Sequence, residues 1–173
     1  MTHSIEVLLD ADSDSVIRAI WQQLDDAGLP SQNRVKSDSN RPHVTLLAAG
    51  RIDAGVDDAL RELAPRLGFA CTVGAPVVFT GPRMTLARLI VPSDELLALH
   101  AEVYRLTLPH IDGEPYPHCR PGHWTAHATL GRRFTAEEIG AALAVADGAD
   151  IAARVVGLRR WDGDARIDHP LVG

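Results

Sequence analysis

Read on its own, the sequence points to an α+β domain built on antiparallel sheet. Strand-like runs and amphipathic helical stretches are interleaved without the strict alternation that a parallel sheet requires. In addition, the pattern His-x-Thr-Leu occurs twice, as HVTL at His43–Leu46 and as HATL at His127–Leu130, about half a chain apart. At 173 residues the chain has the length of one domain with a full-sized core.

Each element has a local reason. Ser4–Asp10 is an apolar run of strand length that ends in an acidic, turn-prone stretch. A helix is predicted from Ser13 to Ala27, with Ile17, Ile20, Trp21 and Leu24 on one stripe; Asp12 to Ser15 offer caps, and Gly28 and Pro30 end it. Pro30–Pro42 is a polar loop that holds the only lysine, Lys36, and is long enough to face a substrate. His43–Ala48 reads as a strand, and Asp53–Leu67 as a helix through Val56, Leu60, Leu63 and Leu67.

Phe69–Thr80 and Arg83–Val91 read as strands on either side of the turn Gly81-Pro82, a candidate hairpin. Ser93–Leu108 is a further helix, with Leu96, Leu99, Val103 and Leu106 on one face, and Pro109–Gly122 is a loop. Trp124–Gly131 reads as a strand. The helix Thr135–Ala146 opens with a capping box, Thr135 to Glu138. Ile151–Trp161 and Ala165–Leu171 complete the strands. No linker, charge run or low-complexity stretch divides the chain, so residues 1–173 are expected to form one domain.

Composition bounds the partners. With 46% hydrophobic and 23% charged residues, collagen-like, coiled-coil and disordered classes are excluded. No apolar run reaches about 18 residues, and Met1–Asp10 lacks a basic leader segment, so neither a membrane partner nor a signal peptide is expected. The net charge of −6 argues against a duplex DNA partner. All basic residues but Lys36 are arginine, which fits either a GC-rich genome or a small arginine-lined phosphate pocket. Cys71 and Cys119 are too few for a disulfide framework, and a cytoplasmic monomer is expected.

The repeated tetrapeptide carries the chemistry. Random placement of 8 His with this chain's Thr and Leu content gives about 0.05 matches to His-x-Thr-Leu, so two matches are not an accident. Each is followed by a short polar turn and an amphipathic stretch, which suggests two similar half-units around a cleft. Side chains alternate along a strand, so His43 and Thr45 share one face, and His127 and Thr129 share another. Threonine can donate to a phosphoryl oxygen, and histidine moves a proton near neutrality. Two histidines suit displacement at phosphorus, where one deprotonates the nucleophile and the other protonates the leaving oxygen.

These motifs, RPHVTL and HWTAHATL, resemble the paired signatures of the 2H phosphoesterase superfamily, which includes the 2′-5′ RNA ligase-like proteins and the cyclic nucleotide phosphodiesterases. The resemblance spans nearly the whole chain. It implies a bilobal, pseudo-twofold α+β fold, two antiparallel sheets flanked by helices, with one His-x-Thr motif from each lobe lining a central cleft. It also implies a phosphodiesterase that opens a 2′,3′-cyclic phosphate to a 2′-phosphomonoester without a metal or other cofactor. Carried over by motif, His43 is the general acid, His127 the general base, and Thr45 and Thr129 hold the phosphoryl oxygens. Ala126 stands where relatives often carry proline, and the chain is acidic. Both departures favour a small phosphate ester or an RNA end over long RNA. The alternative from another class is a non-catalytic nucleotide or RNA-end binder with the same cleft.

Other residues are candidates by strand parity. His123 and Thr125 share a face with His127, which makes His123 a possible substrate contact against the plainer reading of a surface histidine. Arg41 shares parity with His43, and Arg133 with His127; each is a candidate phosphate clamp against a solvated reading. Arg120 is a weaker candidate of the same kind. Trp124 is a candidate to stack on a base, but its parity is opposite to that of His127, which favours the core. His118, Cys119, His123 and His127 invite a zinc reading, but HWTAH lacks the glutamate of helical zinc motifs, so no metal is expected.

Overall fold

In the computed structural model, which describes all residues from Met1 to Gly173, local sequence signals set most element ends. The elements are β1 (His3–Leu9), α1 (Ala11–Asp26), β2 (His43–Ala49), α2 (Asp57–Arg61), β3 (Ala70–Phe79), β4 (Met84–Ile90), α3 (Asp94–Thr107), β5 (His127–Phe134), α4 (Ala136–Ala146), β6 (Ile151–Asp162) and β7 (Ile167–Val172). Asp10 caps α1 by accepting from the Ser13 N–H, and Ser93 caps α3 in the same way from Leu96. The Thr135–Glu138 capping box is present at α4. The hairpin β3–β4 forms about Gly81-Pro82.

Every strand pairing is antiparallel, in the order β1-β2-β5-β4-β3-β6-β7, and β1 also pairs with β6. The fold is therefore α+β with antiparallel sheet. Where the resemblance implies two sheets, the hydrogen bonds join all seven strands. The long β6 explains one join: its start pairs with β3 at Ile151–Arg154 and its remainder with β1 at Val155–Trp161. The other join is a single pair, Val44 with Ala128, between β2 and β5.

Helices α1 and α4 pack together behind β4, β5 and β6, and α3 packs behind β2. The buried stripe of α1 is Ile17, Trp21 and Leu24, which joins Val44, Leu46, Ala128 and Leu130 in one apolar core. Burying such side chains is the main stabilising contribution, at about 1.5–3 kcal/mol for each large one. No helix is long and apolar enough to cross a membrane.

Two expected elements differ. The helix Asp53–Leu67 is broken into a 3-10 turn at Ala54–Val56, the short α2, and a second 3-10 turn at Ala64–Arg66. Asp53 accepts from the Gly55 N–H to start the first turn, and Pro65 withholds a donor at the second. Val56, Leu60 and Leu63 are nevertheless buried, so the apolar spacing holds through the breaks. The strand expected at Trp124–Gly131 runs instead from His127 to Phe134, which leaves residues 123–125 in the approach to β5.

Candidate active site

The two tetrapeptides meet at their second residues, Val44 of β2 against Ala128 of β5. Antiparallel register about that pair sets His43 opposite Thr129, and Thr45 opposite His127. Val44 and Ala128 face the core, so alternation turns both histidines and both threonines to the other side. Neighbours across such a pair stand about 4.5–5.5 Å apart at Cβ, and diagonals about 7–8 Å. All four side chains line one cavity of about 790 Å³.

The backbone holds the two histidines alike. His43 Nδ1 lies 2.8 Å from the Arg41 carbonyl oxygen, and His127 Nδ1 lies 2.7 Å from that of Thr125. A carbonyl can only accept, so each Nδ1 carries the hydrogen and each Nε2 is left for chemistry. The threonine positions are also matched. Trp124 Nε1 donates to the Thr45 carbonyl at 2.9 Å, and Trp21 Nε1 to the Thr129 carbonyl at 3.0 Å.

The side chains around the two rings are not alike. Glu6, on β1 opposite Thr45, places Oε1 3.7 Å from His43 Nε2. Its other oxygen pairs with Arg159 at 2.8 Å, and Ser4 donates to Oε1 at 2.6 Å. Burial alone would raise the Glu6 carboxyl; the charges on His43 and Arg159 and these hydrogen bonds hold it below its ordinary value. His127 instead has the Phe79 ring at 4.6 Å between centroids. Burial lowers its pKa, and the charges on Arg132, His43 and His118 lower it further against the bond to Thr125. The surroundings of His127 thus favour the neutral imidazole, and His43 is the one with a carboxylate beside it.

The predicted contacts fare unequally. His43, Thr45, Thr129, His127 and His123 line the cavity, and His123 is exposed there in the approach to β5. Arg41 does not line it: its guanidinium turns to Asp14 at 3.3 Å, and only its carbonyl serves His43. Arg133 does not line it either; the neighbouring Arg132 does. The cause is a bulge. Ala87 pairs with Thr129 but Leu86 with Gly131, so one extra residue flips the parity and puts Arg132, paired with Thr85, on the face of Thr129. A second irregularity leaves Arg133 unpaired with φ +71°. Gly131 is needed at this bulge, because a Cβ there would collide with the Pro30 carbonyl and the Phe134 ring. Arg120 is occupied by Glu114 at 3.0 Å.

Trp124 is half-buried: it stacks on His100 at 3.9 Å between ring centroids and also lines the cavity. Strand parity missed Glu6, Arg159, Phe79 and Trp161, which all line it. A signal existed for the first, since Glu6 is a charged residue inside the otherwise apolar run IEVLL. The zinc reading finds no geometry: the one tight set of metal-type ligand atoms is His3, Asp162 and Asp164, and none of these lines the cavity.

The sequence profile of the 2′-5′ RNA ligase superfamily matches residues 11–165, and the chain belongs to that family of 2H phosphoesterases. No curated protein matches the sequence. Among solved structures, Usb1 from Kluyveromyces marxianus, determined with uridine monophosphate, is similar at 11% identity and a TM-score of 0.54, covering 99% of this chain and 98% of its own. A crystal structure described as a phosphoesterase is similar at 16% identity and a TM-score of 0.51, covering 98% and 95%. Both likenesses are of fold.

Proposed function

We propose that the protein is a phosphodiesterase that opens a 2′,3′-cyclic phosphate, on a nucleotide, an RNA end or a related small ester, to a 2′-phosphomonoester. Membership of a phosphoesterase family supports the general class of reaction. The observation that carries the specific reading is the facing of His43 and His127 across Val44 and Ala128, each with Nδ1 tied back to a carbonyl. His127 Nε2 takes a proton from water as its oxygen bonds to phosphorus. The bond from phosphorus to the 3′ oxygen breaks, and His43 Nε2–H protonates that oxygen. Thr45, Thr129 and the Arg132 guanidinium hold the non-bridging oxygens. The two half-units of one domain each supply one histidine.

A cavity of about 790 Å³ is the size of a nucleotide site, and Phe79, Trp124 and Trp161 offer faces for a base. The acid and base can run this chemistry without a metal. The test is hydrolysis of 2′,3′-cyclic nucleotides and of an oligonucleotide ending in that group, with and without chelator. Expected are chelator-resistant turnover to the 2′-phosphate and a loss of about 10²-fold or more in His43→Ala and in His127→Ala. Saturable binding of a 2′-phosphonucleotide with no turnover of any cyclic substrate would favour a binding protein instead.

A further inference from the structure

We propose that Glu6, clamped by Arg159, is a positioning residue and counter-ion for His43: it keeps a proton on the cleft-facing Nε2 and so makes His43, not His127, the group that protonates the leaving oxygen. The inference rests on the two-histidine reading above and deepens it. Backbone geometry cannot separate the two roles, because register, Nδ1 bonding and the tryptophan braces are matched on both sides. The distinction must lie in the charges that face each ring.

Around His43 those charges come from four elements. Glu6 on β1 has Oε1 3.7 Å from Nε2. Arg159 on β6 has Nη2 3.5 Å from Nδ1 and binds both Glu6 and, at 2.7 Å, Asp168 on β7. His127 on β5 faces it across the cleft, and Arg41, just before its own strand, is turned away to Asp14 on α1. One arginine thus serves two carboxylates, and an imidazolium at His43 completes the neutrality of the set. Around His127 the neighbouring charges are Arg132, His118 and His43, and all three disfavour a second cation. Two like groups whose surroundings push them apart are how a fold assigns acid and base.

Glu6 itself is built in. It is 5% exposed in the middle of a strand, where an unmatched carboxylate is strongly destabilising. Ser4 and Arg159 occupy its oxygens, and Arg159 is fixed in turn by Asp168 and the Ser39 carbonyl at 3.0 Å. These bonds keep Glu6 ionised, so it attracts the His43 proton without taking it.

The experiment is the pH profile of kcat/KM for a 2′,3′-cyclic nucleotide in Glu6→Gln, alongside NMR titration of the imidazoles in the unaltered protein. The acid must be protonated, so activity falls as pH rises through its titration. Loss of the carboxylate should move that alkaline limb down by about one pH unit or more, and Glu6→Asp should bring it back. In the unaltered protein the His43 signal, identified by its loss in His43→Ala, should titrate at higher pH than that of His127. An alkaline limb unmoved in folded Glu6→Gln, or His127 titrating above His43, overturns the proposal. The NMR order decides even if Glu6→Gln does not fold. Turnover that survives His43→Ala instead refutes the two-histidine reading, a separate outcome.

Discussion

The proposed base, His127, is biased toward its neutral form: half-buried beside Phe79 and near Arg132 and His118, it binds a proton less readily than a free imidazole. The acidic limb of kcat/KM should therefore lie below the ordinary imidazole value of about 6.5, since only the neutral form can take a proton from water. The same shift has a stability consequence. His100, lowered by burial, and His127 both bind protons more readily when unfolded. Stability is then full above about pH 6.5 and falls as pH drops below it, which denaturant unfolding between pH 7.5 and 5 would record. Arg132 should matter where Arg133 does not. Arg132→Ala is expected to cost about tenfold or more in kcat/KM, while Arg133→Ala stays within about twofold, both measured on a cyclic nucleotide.

Elements whose determinants are close in sequence were readable, and those set by a distant partner were not. The α4 cap needs only Thr135 and Glu138, so it could be read directly; Thr135→Ala should cost about 1 kcal/mol, or about 2–4 °C in Tm. The bulge in β5 needs β4 to define it, so parity alone points to Arg133, which does not line the cavity, and not to Arg132, which does. Arg88 shows the same limit on the core side. It is fully buried, and it donates to the Gly74, Ala146 and Ala149 carbonyls, tying β3 and the end of α4 to β4. No local pattern in LARLI announces that role. Arg88→Ala would strand three acceptors and is expected to lower stability by about 3 kcal/mol or more, seen as a fall of about 6–12 °C in Tm.

At the scale of the molecule, the echo between His43–Leu46 and His127–Leu130 carried most of what could be read. It gave two histidines and two threonines that line one cavity, and the face they share, because alternation along a strand needs no knowledge of the partner. It could not give the asymmetry, which depends on Glu6 and Arg159 converging on His43 from the two ends of the chain. The matched backbone brings two imidazoles to one face, and the unmatched side chains give them different surroundings. The decisive measurement follows a 2′,3′-cyclic nucleotide by phosphorus NMR in the presence of chelator, for the unaltered protein, His43→Ala and His127→Ala. Conversion to the 2′-phosphate by the unaltered protein, and loss of about 10²-fold or more in each variant, is expected. Turnover abolished by chelator, or undiminished in either variant, would contradict catalysis by the facing histidines.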